Sequence, residues 1–201
     1  MPVASPPLPA DLAAALALLQ GGPAPVALPQ GGFALLVDPW DGYTANRRRV
    51  LELALSQGVG DAVFLTGDIH STWAADLPLD PGTYLGTPTP ASPSAGVEFV
   101  CTSITSDNLD EITMNPPRTS SITVEQAILA ANRHIKELEF DSHGYSVLEV
   151  TAQQVQFDTY FISDREDPRA TQAFYRGYRS GKGTRTVTRV TTPIPRIRSD
   201  R

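Results

Sequence analysis

A single cysteine, Cys101, excludes an internal disulfide, and its place in the apolar run 97–101 fits a buried structural thiol rather than a metal ligand. No stretch is long and apolar enough to cross a bilayer: the alanine- and leucine-rich run 12–19 is too short. The opening Met-Pro-Val-Ala-Ser-Pro-Pro-Leu-Pro lacks the basic segment that begins an export signal. There is no Gly-x-Ser-x-Gly elbow, which removes the usual nucleophile turn from a serine hydrolase built on Ser71 with His70 or His143. Adjacent Ser and His also share the required hydrogen bond poorly. No internal repeat is evident. What is present, 41% hydrophobic and 19% charged residues in 201, suits one soluble domain with one core.

Charge is uneven. From Asp164 onward there are 10 Lys and Arg against 4 acidic residues, so this stretch is near +6 and the preceding body near −12. Such a tail, interleaved with Thr, Pro and Gly, could meet a polyanion, but it reads as a solvated, poorly ordered extension, and no nucleic-acid partner is expected. Three segments follow: a poorly ordered leader over 1–30 with a short helix over 11–20 capped by Asp11, a folded body over 31–163, and a basic, flexible tail over 164–201.

Within the body, 33–37 reads as a buried strand, 44–57 as an amphipathic helix stopped by Gly58 and Gly60, and 62–66 as the next buried strand. Two apolar strands flanking one helix imply parallel pairing with a right-handed crossover. Arg47, Arg48 and Arg49 fall on that helix and read as a solvated face. Further on, 97–104 reads as a strand, and 121–131 as a helix with Thr123 and Gln126 at capping-box spacing. The stretch 135–140 reads as a strand turning through Asp-Ser-His-Gly into a hairpin with 145–150, which puts His143 in an exposed turn. A second hairpin partner, 155–162, follows.

The chemistry concentrates in Val-Phe-Leu-Thr-Gly-Asp-Ile-His-Ser over 63–71, an apolar run ending abruptly in Gly67, Asp68 and His70. Open α/β sheets place ligands at such strand ends. If the chain stays extended, Asp68 and His70 point to one side and bring a carboxylate and an imidazole together, as a dinuclear metal site or an acid/base pair needs. The plainer alternative is a strand followed by a turn with a solvent-facing histidine. Gly67 is expected to serve a turn or a close approach, and Trp73 to be a packing anchor.

The neighbours sharpen this. Pro-Trp-Asp-Gly-Tyr over 39–43, a helix, a strand, then Gly-Asp-Ile-His-Ser-x-Trp-Ala resembles the C-terminal part of the PhoD-like alkaline phosphatase and phosphodiesterase family, a branch of the calcineurin-like metallophosphatases. Val-Glu-Phe-Val over 97–100 with Thr-Ser-Ile-Thr-Ser over 102–106 is similar to that family's strand and Ser/Thr loop. Asn-Arg-His-Ile-Lys over 132–136 and Asp-Ser-His-Gly-Tyr over 141–145 resemble its last loop and hairpin, with Arg133 where the family commonly has proline. The family's N-terminal Cys, Gly-Asp-x-x-Tyr and His-Glu motifs do not occur.

The resemblance implies an α/β fold, the C-terminal half of a metallophosphatase-type β-sandwich flanked by helices. It also implies hydrolysis of phosphomonoesters or phosphodiesters, with iron and calcium as cofactors. It places Asp68 and His70 in the metal-lined site, with Asp41, Asn132 and His134 as further candidates near it. Relatives are often exported. With half of the motif set missing, the resemblance implies a truncated enzyme, inactive alone, or a non-catalytic remnant or half-domain whose partner, the missing sequence or a second chain, completes the site.

Overall fold

The computed structural model describes residues 26–27, 33–34, 40 and 42–195. In chain order its elements are β1 (Val26–Ala27), β2 (Phe33–Ala34), α1 (Thr44–Ser56), β3 (Ala62–Thr66), β4 (Thr72–Pro78), β5 (Ser94–Val100), α2 (Leu109–Thr113), α3 (Ser120–Ala131), β6 (Ile135–Glu139), β7 (Gly144–Val150), β8 (Gln154–Ile162), β9 (Gln172–Gly181) and β10 (Thr188–Val190).

Two four-stranded sheets form a sandwich, one ordered β3-β5-β4-β6 and the other β10-β9-β8-β7. Ala74, Val97 and Phe99 of the first sheet meet Val155, Phe157 and Tyr178 of the second, with Val187 joining them. The Phe99 and Phe157 rings stack with centroids 4.9 Å apart, an arrangement that adds about 1 kcal/mol beyond area burial. Helices cover the outer side of the first sheet. Val124 and Ile128 of α3 pack on Leu138 and Phe140, while Leu51 of α1 packs on Leu77 and Ala95. The α/β sandwich with flanking helices is therefore as the sequence implied. Among the described residues no helix is long and apolar enough to cross a membrane.

The pairing of the first sheet positions everything that follows. β3 runs parallel to β5 with Thr66 beside Val100, β4 returns with Trp73 opposite Val100, and β6 returns again with Glu139 opposite Thr72. One end of the sheet thus gathers the ends of β3, β5 and β6 and the start of β4. Close approach of β3 and β5 depends on Gly96, where a Cβ would run into the Ala62 carbonyl.

Several sequence expectations are corrected. β3 finds its parallel neighbour in β5, while the described part of the expected strand 33–37 pairs antiparallel with β1. The stretch 141–143 is no hairpin turn: β6 pairs with β4 and β7 with β8, so it carries the chain from one sheet to the other. The capping box belongs to Asn108 and Glu111 at α2, whereas Thr123 and Gln126 lie inside α3. The basic stretch after 163 is not a flexible tail as far as residue 195: β9 pairs with β8 along its length, and β10 with β9. Several of its cations are tied to the body. Arg176 makes two bonds to buried Glu137, 2.8 and 2.6 Å, and Arg185 donates to the carbonyls of Gly60 and Val59. The expected helix 11–20 and the last residues, 196–201, lie outside the described residues.

Candidate functional site

The loop from Gly67 to Ser71 leaves β3 at the gathered end of the sheet and is strongly bent. Asp68 has φ of 70° and His70 φ of 51°, both in the left-handed region where non-glycine residues pay about 1–2 kcal/mol each. The Ile69 N–H donates to the Gly67 carbonyl at 2.9 Å, closing a three-residue turn about Asp68. The chain is therefore not extended between Asp68 and His70, and the same-side argument for the pair does not apply. Gly67 does not carry the strain. Its φ is ordinary, and a Cβ there would meet only the Cys101 carbonyl at 3.9 Å.

The loop is locked from below. Ser71 is fully buried, its hydroxyl donates to the Ile69 carbonyl at 3.1 Å, and it accepts the Trp73 indole N–H at 2.7 Å. Trp73 packs edge-on against Phe140, the anchor role expected of it. A buried hydroxyl so engaged is unsuited to nucleophilic attack. Asp68 is exposed and His70 half-buried.

His70 has a fixed orientation. Its Nδ1 lies 2.7 Å from the main-chain carbonyl of Asp107. A carbonyl only accepts, so Nδ1 carries a hydrogen, and whenever the ring is neutral Nε2 is the nitrogen with its lone pair open to a metal or a proton. Metal-binding histidines are commonly oriented in this way.

Sequence reasoning missed most of the residues around this pair. Arg165 donates through Nη1 to Asp107 Oδ1 at 2.7 Å and to the Thr105 carbonyl at 3.0 Å. Glu111 accepts from the Asn108 N–H at 2.6 Å and lies 2.9 Å from His143 Nε2. Burial opposes the Glu111 charge, but bonds from His143 and Asn108 and the nearby His143 and Arg165 charges hold its carboxyl below the ordinary value. His143 is thus not an exposed turn residue: its side chain is 11% exposed and also reaches Ser103 Oγ at 3.3 Å. The spacing of Asn108 and Glu111 was the available signal, since it is the capping box that orders this loop. Arg165 left no signal, because it arrives from the other sheet.

Two other expected residues are elsewhere. Asn132 caps the end of α3, its amide donating to the Ile128 carbonyl at 3.0 Å. The His134 carbonyl accepts from the Asp76 N–H, four residues along β4 from Thr72. At roughly 3.3 Å per strand residue this is about 13 Å toward the opposite end of the sheet, away from His70. His134 Nδ1 is buried without a hydrogen-bond partner, and burial, with the Arg47 and Lys136 charges, pushes its pKa down to about 3. Asp41 lies outside the described residues.

For metal binding, the donors present are the Asp68 carboxylate and His70 Nε2, chemically suited to a divalent or trivalent ion. The set is short, since no group of three or more His, Cys, Asp or Glu among the described residues is placed to hold one. In a nearby buried cluster, Glu125, Glu139 and Oδ2 of Asp141 are engaged by Arg118, Ser121 and main-chain N–H groups, while Asp141 Oδ1 is buried without a hydrogen-bond partner.

Comparison with known proteins agrees with this architecture. The chain is 37% identical over 122 residues to alkaline phosphatase D of Bacillus subtilis (strain 168), an overlap of 61% of this chain and 18% of that protein. A solved structure described as that of PhoD superposes on 78% of this chain and 27% of its own length, with a TM-score of 0.60 and 28% identity. The chain thus spans less than a third of either relative. The family model for PhoD-like phosphatases matches residues 15–159, most of the sandwich and its helices, and the chain belongs to that family.

Proposed function

We propose that this chain contributes part of the active site of a metal-dependent phosphoric ester hydrolase, and that Asp68 and His70 are its contribution. The observation that supports this most is the strained loop at the end of β3. Two left-handed non-glycine residues, held from below by buried Ser71 and its bond from the Trp73 indole, present one carboxylate and one imidazole whose hydrogen-bonded proton sits on Nδ1. Strain of this kind persists where surrounding structure over-determines it and is concentrated at functional sites.

Asp68 and His70 Nε2 would hold a metal ion together with ligands from elsewhere in the complete protein. Such an ion would supply charge neutralisation at the phosphoryl group and an activated water. The chain's own task is orientation: the Asp107 carbonyl holds the His70 ring, and the closed turn about Asp68 fixes the backbone that carries its exposed carboxylate. Phosphomonoesters or phosphodiesters are the substrate class, and iron with calcium is one metal set that the donors allow. With two donors the chain alone is expected to bind metal weakly and turn over little.

The test is exchange of residues 62–163 into full-length alkaline phosphatase D, assayed on p-nitrophenyl phosphate and bis-p-nitrophenyl phosphate. The exchanged enzyme should hydrolyse at least one, and Asp68→Asn and His70→Ala should each lower turnover about 100-fold or more. His134→Ala should cost far less. Near-normal turnover in both site variants would refute the assignment.

A further inference from the structure

Arg165 stands in the connection between β8 and β9, on the opposite sheet from His70, and touches neither Asp68 nor His70 in any hydrogen bond or ion pair described above. Its two acceptors, the Thr105 carbonyl and the Asp107 carboxylate, lie within a stretch, 104–107, whose residues are all exposed. At one side this stretch is pinned by Ser103, whose hydroxyl lies 2.6 Å from the Ser106 carbonyl. At the other, Asn108 is anchored by its amide to the Asp141 carbonyl at 2.8 Å. Between them, the Asp107 peptide is the one whose carbonyl takes the His70 Nδ1 proton. The Arg165 side chain is only 21% exposed and lies 3.6 Å from Glu111, so its position is itself fixed by the α2 cap.

We propose that Arg165 is a positioning residue for His70. By gripping both sides of the 105–107 turn it fixes the Asp107 carbonyl, and this holds the neutral His70 ring as the Nδ1–H tautomer with Nε2 bare. The inference deepens the reading of His70 as a site residue and rests on it for its functional meaning, but the tautomer is measurable without any activity. A guanidinium suits the role because its donors lie in one rigid plane and its charge persists at every working pH. An inter-sheet staple with no effect on His70 would leave the ring's tautomer unchanged when removed.

The experiment is nitrogen NMR of the whole 201-residue chain labelled at histidine, followed upward in pH to at least about two units above the ordinary histidine value, with the tautomer ratio read on the plateau where the signals no longer change. Wild-type His70 should show Nδ1–H over Nε2–H by about tenfold, one hydrogen bond's worth of preference. In Arg165→Ala the ratio should fall toward that of free imidazole, which favours Nε2–H, and Arg165→Lys should recover part of it. His134 should not change in either. Should Arg165→Ala fail to fold, Asp107→Ala removes one of the two grips, from a side chain that is 62% exposed, and leaves the carbonyl in place; it should shift the ratio in the same direction by less. A wild-type ratio in whichever of these variants folds, or a wild-type His70 without the Nδ1–H preference, overturns the proposal. Failure of the phosphatase assay with a shifted ratio would instead count against the functional reading alone.

Discussion

His134 offers the most quantitative prediction. The residue keeps some exposed surface, but Nδ1 is fully enclosed with no partner, and its pKa is displaced from 6.5 to about 3 by burial first and by the Arg47 and Lys136 charges next. A depressed folded value means the unfolded chain binds the proton more readily. The stability this ring contributes is therefore present above about pH 6.5 and is lost as pH falls toward 3. Each unit is worth about 1.4 kcal/mol, so the whole displacement corresponds to about 5 kcal/mol, and about 2 kcal/mol is lost by pH 5. His134→Leu removes both the titration and the unpaired buried nitrogen, which itself costs about 1–3 kcal/mol. Urea unfolding followed by circular dichroism at about pH 7.5 and pH 5 is the assay. With a urea slope of about 2 kcal/mol/M, the wild-type midpoint should drop about 1 M more than the variant's between the two pH values. Asp76, whose carboxyl is raised by burial, is common to both proteins, so its titration cancels in the difference. Equal pH dependence in the two proteins would refute the reasoning.

Three further outcomes are expected. Asp68→Gly should leave stability unchanged or raise it by about 1 kcal/mol, because glycine adopts φ of 70° without strain; a loss above about 1 kcal/mol in urea unfolding would show that the turn is not strained. Gly96→Ala should destabilise by about 3 kcal/mol or prevent folding, because its Cβ would meet the Ala62 carbonyl, whereas Gly67→Ala should be tolerated within about 1 kcal/mol; thermal unfolding of both separates close approach from mere turn preference. Arg118→Ala should cost about 3 kcal/mol, because it strips the 2.5 and 2.7 Å bonds from Glu125 and Glu139, both almost fully buried; a stability loss that disappears when Glu139→Gln is added would assign the cost to uncompensated charge.

What the sequence disclosed and what it hid follow from the range of the interactions. β3, α1 and the β7–β8 hairpin were legible because apolar runs, glycine stops and turn residues act locally. The motif at the end of β3 falls on the loop whose two non-glycine residues are left-handed. The partner of β6 was not legible: Asp141, Ser142 and His143 are good turn formers, but burial of Leu138 and Phe140 under α3 directs β6 to β4 instead. The basic stretch looked unstructured because Arg176 and Arg185 find their partners only across the sandwich, in Glu137 and in the carbonyls before β3. At the proposed site, the sequence singled out Asp68 and His70 but took the chain between them as extended, where the backbone turns left-handed. Asn132 and His134 lay near the site in motif order yet fall at the far end of β4 once the register is known.

The most direct test of the central claim is which imidazole nitrogen meets a metal. The chain has three histidines, His70, His134 and His143. Nitrogen NMR of the histidine-labelled chain during a Zn2+ titration resolves them. The His70 Nε2 signal should shift to a metal-bound position while its Nδ1 stays protonated, Asp68→Asn should weaken this about tenfold or more, and His134 should not respond. A shift centred on His134 or His143, or an unchanged His70 at saturating Zn2+, would contradict it.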